Sequence, residues 1–116
     1  MRTIIAGGRN IFNMAELDAA LAACGWTPTT VICGGASGAD MLGKRWAEAN
    51  NVPVEYFEAD WATYSRAAGM YRNAQMAEAA EALIALWDSE SRGTSNMITN
   101  ARRCKLKIYV HLVKDQ

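Results

Sequence analysis

The chain has 116 residues, enough for one domain with a buried core and too few for two. It is 51% apolar and 21% charged, which excludes a disordered polymer, and twelve basic residues balance twelve acidic ones, so no overall field draws DNA, RNA or an anionic membrane. No apolar run reaches bilayer length and the chain enters a strand at Arg2 with no signal-peptide core, so the expected setting is the cytoplasm, with no membrane partner.

In chain order, a strand over residues 2–6 (Ile4-Ile5-Ala6) runs into Gly7-Gly8-Arg9. Asn13 with Glu16 fits a capping box that opens a helix over 13–24, and Gly25 ends it. A second strand over 29–33 (Val31-Ile32-Cys33) stops at Gly34-Gly35-Ala36-Ser37-Gly38. Ser37 with Asp40 makes a shorter cap for a helix over 38–50, which Pro53 closes behind Asn50-Asn51. A third strand over 53–57 delivers Asp60, Trp61 and Tyr64 to its rim, and a helix over 65–80 follows. The fourth strand, 82–87, stops at Asp88-Ser89-Glu90-Ser91-Arg92-Gly93-Thr94; Thr94 caps a helix over 94–104, and a last strand covers 106–112.

Strands and helices thus alternate from end to end, with no linker, repeat or low-complexity stretch. Near-continuous apolar strands such as Thr30-Val31-Ile32-Cys33 suit a parallel sheet covered on both faces. Right-handed crossovers then predict a three-layer, doubly wound α/β fold over residues 1–116. Its five-stranded, mainly parallel sheet takes the order 3-2-1-4-5, with about four helices.

That topology sends the loops after the strands to one edge of the sheet, where the three glycine-bearing loops are expected to converge on one crevice. Glycine lets backbone N–H groups approach an anion, and a helix N-terminus behind the loop adds unpaired donors and partial positive charge, so the expected ligand carries phosphate. Gly7 and Gly8 either turn the chain tightly or cradle the ligand, with Arg9 able to grip a phosphate in two places or to make a surface salt bridge. In the second loop Gly34, Gly35, Ala36, Ser37 and Gly38 offer backbone donors and one hydroxyl, while Asp40 caps its own helix or accepts from a ribose hydroxyl. Trp61 and Tyr64 either stack a nucleobase or pack at the rim. Arg72 and Asn73 are ligand-contact candidates on the third helix, and Asp88, Ser91, Gly93 and Thr94 supply cradle chemistry from the last loop. Arg92 is read as facing water.

Other residues read as structural. Cys24, Cys33 and Cys104 lack metal-ligand spacing and sit in apolar surroundings, as reduced core thiols do. No metal and no cofactor is expected. Met70, Met76 and Met97 are read as core fillers, and His111 stands on the last strand with no partner in view. Arg102, Arg103, Lys105 and Lys107 complement a helix C-terminus and keep an edge strand soluble, so nucleic acid is not an expected partner.

Taken as a set, four stretches carry a resemblance: Gly7-Gly8-Arg9 with Phe12; Gly34 to Asp40; Trp61 with Ala68-Gly69-Met70-Tyr71-Arg72-Asn73 and Met76; and Trp87-Asp88 with Ser91-Arg92-Gly93-Thr94 and Met97-Ile98. The chain resembles the SLOG superfamily, which holds the DNA-processing protein DprA and the LOG cytokinin-activating enzymes, and within it the small single-domain YspA-related branch of phages and bacteria. The resemblance implies a Rossmann-like fold, a pocket for a nucleotide or nucleotide-derived small molecule, and a homo-oligomer. LOG-type phosphoribohydrolases carry Arg-Lys followed by Met, and a Gly-Thr followed three positions after the Thr by a catalytic Glu. Here Arg72-Asn73 with Met76 matches the first with Asn for Lys, and Gly93-Thr94 matches the second, but Met97 stands where the glutamate belongs. A methionine neither stabilises an oxocarbenium-like state nor activates water. The expected function is therefore a sensor or sequestering domain for a nucleotide. The alternatives are a LOG-type phosphoribohydrolase or N-glycosidase and a DprA-like DNA-associated module. No catalytic residue is assigned; Arg72, Asp88 and Glu90 are the candidates, with Asp40 and Asp60 as further substitute carboxylates.

Overall fold

The most apolar segments of the chain form the middle of the sheet. In the computed structural model, which describes residues 1–35 and 37–114, the strands are β1 (Arg2–Gly7), β2 (Thr30–Cys33), β3 (Val54–Tyr56), β4 (Ala82–Trp87) and β5 (Lys107–Leu112). They pair in the order β3-β2-β1-β4-β5, every pair parallel, with Thr3 to Gly7 of β1 in register with Ala82 to Leu86 of β4. Both faces of the two central strands are covered, so Ile4, Ile5, Leu83 and Ile84 are fully buried and no polar alternation is needed. The edges carry the charge instead: Glu55 of β3 pairs with Arg2, and Lys107 of β5 lies 5.2 Å over the Trp26 ring.

The helices among the described residues are α1 (Met14–Ala23), α2 (Ala39–Ala49), α3 (Trp61–Tyr64), α4 (Ala68–Ala79) and α5 (Arg92–Arg103), and all but the short α3 pack on the sheet. Successive β1 side chains point to opposite faces, which gives each face its own core. Ile5 and Ile84 pack with Leu17 of α1 and Leu42 of α2, whereas Ile4 and Leu83 pack with Met76 of α4 and Met97 of α5. The doubly wound α/β architecture and strand order are those expected, with an all-parallel sheet. Among the described residues, no helix is long and apolar enough to cross a membrane.

The helix starts differ from expectation, each for a local reason. Asn13 caps α1 by accepting from the Ala15 N–H at 3.0 Å, but Glu16 does not close the box. Its Oε2 instead meets His111 Nε2 at 2.7 Å, which gives the histidine a partner and ties α1 to β5. Gly38, not Ser37, stands at the N-cap of α2. The helix expected from residue 65 begins at Ala68, behind the short α3 and a 3-10 turn over Ser65–Ala67. Asp60 Oδ1 accepts from the Thr63 N–H at 3.1 Å and starts α3, and Ser65, at φ 49°, ends it. Ser91, not Thr94, caps α5. Met76 and Met97 are core fillers, but Met70 is 58% exposed. Cys24 and Cys33 are buried, Cys104 is partly so, and all are free thiols.

Candidate functional site

At the end of β1 the chain turns on Gly8. Its N–H donates to Leu86 O (3.3 Å), and its carbonyl accepts from both Ile11 (3.3 Å) and Ala39 (3.2 Å). One residue thus knots the first loop to the end of β4 and to the first residue of α2. Arg9 and Asn10 emerge exposed from this knot. The Arg9 guanidinium has no hydrogen bond or ion pair among the described residues.

The second loop is held by side chains. Asp40, 7% exposed, turns back so that Oδ2 accepts from the Gly34 N–H at 3.0 Å, which helps meet the cost of a buried carboxylate. Arg72 reaches across from α4, its Nη1 donating to Gly34 O at 3.0 Å. A Cβ at Gly34 would stand 2.8 Å from Arg72 Nε and 2.9 Å from Cζ, so any other residue would push the guanidinium from this position. That Nε is buried and lacks an acceptor among the described residues. Gly35 in turn lies against the Tyr56 ring, in the space a Cβ would need. These two glycines therefore answer to protein side chains, and both polar backbone groups of Gly34 are taken.

The third loop is built around Asp88. Its Oδ1 accepts from the Glu90 and Ser91 N–H groups, both at 2.8 Å, and these bonds hold the carboxyl below its ordinary value. Ser91 Oγ accepts from Thr94 N at 3.4 Å and lies 3.1 Å from Thr94 Oγ1. The cap leaves the N–H groups of Arg92 and Gly93, the first two of α5, without an acceptor among the described residues. A Cβ at Gly93 would meet nothing within 4 Å, so this helix end opens onto free space. Buried Asn73 braces it, donating from Nδ2 to Gly93 O (3.3 Å) and Asn96 Oδ1 (3.0 Å).

Between these pieces lies a cavity of about 400 Å³, within the range of small-molecule sites. It brings together Gly7, Gly8, Arg9, Asp40, Arg72, Asn73, Asp88, Ser91, Gly93 and Thr94, with Asn10 at the wall and Ala6, Ile11, Met76 and Met97 as apolar lining. The first and third glycine loops meet here as expected. The second enters through Asp40: among the described residues, Gly34, Gly35, Ser37, Gly38, Trp61 and Glu90 are not part of the wall, and Ala36 lies outside the described residues. Trp61 is 55% exposed, and Tyr64 packs on Tyr71 with ring centroids 4.2 Å apart, so α3 forms an aromatic surface away from the cavity. Sequence reasoning missed Asn10 and Ile11, whose signal was their place directly after Arg9, and treated Met76 and Met97 as core alone.

Chemically, the cavity offers a guanidinium with no partner among the described residues and an open helix N-terminus for an anion, and two carboxylates that accept hydroxyls but repel phosphate. Met97, 1% exposed, gives this wall an apolar side chain. Asp40 also lines a second cavity of about 430 Å³, with Cys33, Gly35, Met41, Lys44, Val54 and Tyr56. Burial, reinforced by the Asp40 charge, raises the Cys33 pKa against the opposing Gly35 N–H, so the thiol stays protonated at neutral pH. Among the described residues, no group of His, Cys, Asp and Glu is placed to hold a metal ion.

The model of the YspA, cpYpsA-related SLOG family matches residues 1–64, which include the first two glycine loops. The Gene 61 protein of Mycobacterium phage D29 is 34% identical over 84 residues, covering 67% of this chain and 67% of that protein. No solved structure matches the chain.

Proposed function

The chain belongs to the YspA, cpYpsA-related SLOG family, and from that premise we propose that the cavity walled by the loops after β1 and β4 binds a nucleotide or nucleotide-derived small molecule, as a sensor or sequestering domain. The observation that carries this reading is the meeting, in one cavity, of the Arg9 guanidinium, which has no partner among the described residues, with the open N-terminus of α5. Phosphate sits between them, Arg72 adds a second cation, and Asp40 and Asp88 accept sugar hydroxyls. The apolar lining from Ala6, Met76 and Met97 suits a base or sugar face. Calorimetry against AMP tests it. Binding should weaken at least about tenfold in Arg9→Ala, the scale of one charge-assisted contact, and absence of binding by AMP, ADP-ribose, NAD and cyclic nucleotides would refute it.

A second reading, a phosphoribohydrolase or related N-glycosidase, draws on the two carboxylates in the cavity wall. It is weakened by Met97 and by the two N–H groups that hold Asp88. Release of free adenine from AMP, lost in Asp88→Asn, would establish it; intact AMP after long incubation would remove it.

The same proposal includes self-association. Trp61, Tyr64, Met70 and Tyr71 expose apolar surface on α3 and α4 that a second copy would cover. Light scattering showing a strict monomer would refute that part.

A further inference from the structure

We propose that the second cavity is the other half of the ligand site, so that the molecule bound is two-lobed: two nucleoside-sized or sugar-sized units joined through phosphate. The inference rests on the phosphate reading of the first cavity and extends it. Asp40 lines both spaces, so one carboxylate is common to the two walls. Volumes of about 400 Å³ and about 430 Å³ each suffice for a small-molecule unit. A mononucleotide seated in the first would leave the second unused.

The second cavity also differs in chemistry, as a separate subsite would. Among the described residues its wall carries no guanidinium. Tyr56 presents a ring that is 58% exposed and whose position is set by Gly35 beneath it, and Met41, 41% exposed, adds a flexible thioether. An aromatic face and an adaptable apolar side chain suit a planar ring or the apolar face of a sugar. Lys44 stands at the same wall, its ammonium in a loose 3.9 Å pair with Glu48 one helical turn on. It is available to an anionic or carbonyl oxygen of the second unit. The buried carboxylate common to both walls repels phosphate and accepts hydroxyls. The linking phosphates therefore lie in the first cavity, with Arg9 and Arg72, and a sugar of the second unit crosses at Asp40.

The test is calorimetry on the full chain with two probes, AMP and ADP-ribose. The proposal expects ADP-ribose to bind at least about tenfold tighter than AMP. Lys44→Ala and Tyr56→Ala, on an exposed helix face and an edge strand, should each weaken ADP-ribose at least about fivefold and leave AMP within about twofold, whereas Arg9→Ala should weaken both. Equal affinity for the two probes would overturn the proposal, and so would tighter ADP-ribose binding indifferent to both second-cavity variants; in either case the phosphate site stands. Binding of neither probe would overturn both readings together.

Discussion

Replacing Gly38 with alanine tests the junction that holds the first loop against α2. Gly38 sits at φ 77° and ψ −125°, a region close to glycine-only backbone space, and forcing an L side chain into it costs about 1–3 kcal/mol. The new methyl would also overlap the carbonyl oxygens of Gly8 and Arg9, backbone atoms that cannot rotate away as a side-chain tip can. Overpacking of that kind adds about 1–3 kcal/mol. The expected loss is therefore about 2–6 kcal/mol, out of the roughly 5–15 kcal/mol typical of a domain this size. Urea unfolding followed by tryptophan fluorescence measures it directly, the chain having four tryptophans. Gly93→Ala is the internal control, because its methyl meets nothing and helix propensity favours alanine by up to about 1 kcal/mol. Its stability should hold or rise while AMP binding weakens, since the added methyl enters the space where phosphate is placed. A Gly38→Ala protein within about 0.5 kcal/mol of the parent would refute the account of this junction.

Three further outcomes follow from contacts elsewhere. Ser91→Ala removes the α5 cap and should lower stability by about 1 kcal/mol in urea, with no change refuting Ser91 as the cap. Thr3→Val strands the Trp26 indole N–H, which now donates to Thr3 Oγ1 at 3.0 Å; the expected loss is about 1–3 kcal/mol, visible also as a shift in tryptophan emission, and an unchanged midpoint would refute it. Asp88 has its folded pKa below the ordinary 3.8, so its stabilising contribution is complete above that value and disappears as pH falls through the lowered one. Asp88→Asn should therefore lose less stability than the parent between about pH 5 and about pH 2; parallel acid limbs would refute the assignment.

The fold was legible because its signals are local and repeated: short apolar runs alternate with helical segments long enough to cross over the sheet, which is the condition for parallel pairing. What escaped was chemistry that depends on distant partners. Glu16 has the spacing of a capping box, yet His111, far along the chain, captures it. Gly34 and Gly35 look like a phosphate loop, but Arg72 and Tyr56 occupy the space their missing side chains leave. The start of α3 did carry a readable sign, since Asp60 three residues before Thr63 is an N-cap pattern. The third loop was located correctly, but its cap was placed at Thr94 because Asp88 bonds to the backbone and brings Ser91 into position first.

The register of the two central strands also dictates the order of events as the chain folds. Thr3 waits for Ala82 in a chain of 116 residues, so well over half of a ribosome's work on this stretch precedes closure of the middle of the sheet. Until then β1 can pair only with β2, leaving one apolar edge unmatched while α2 and α4 form beside it. Such long-separation pairing slows folding and exposes a sticky intermediate, so truncation before β4 should yield aggregation rather than a smaller folded unit.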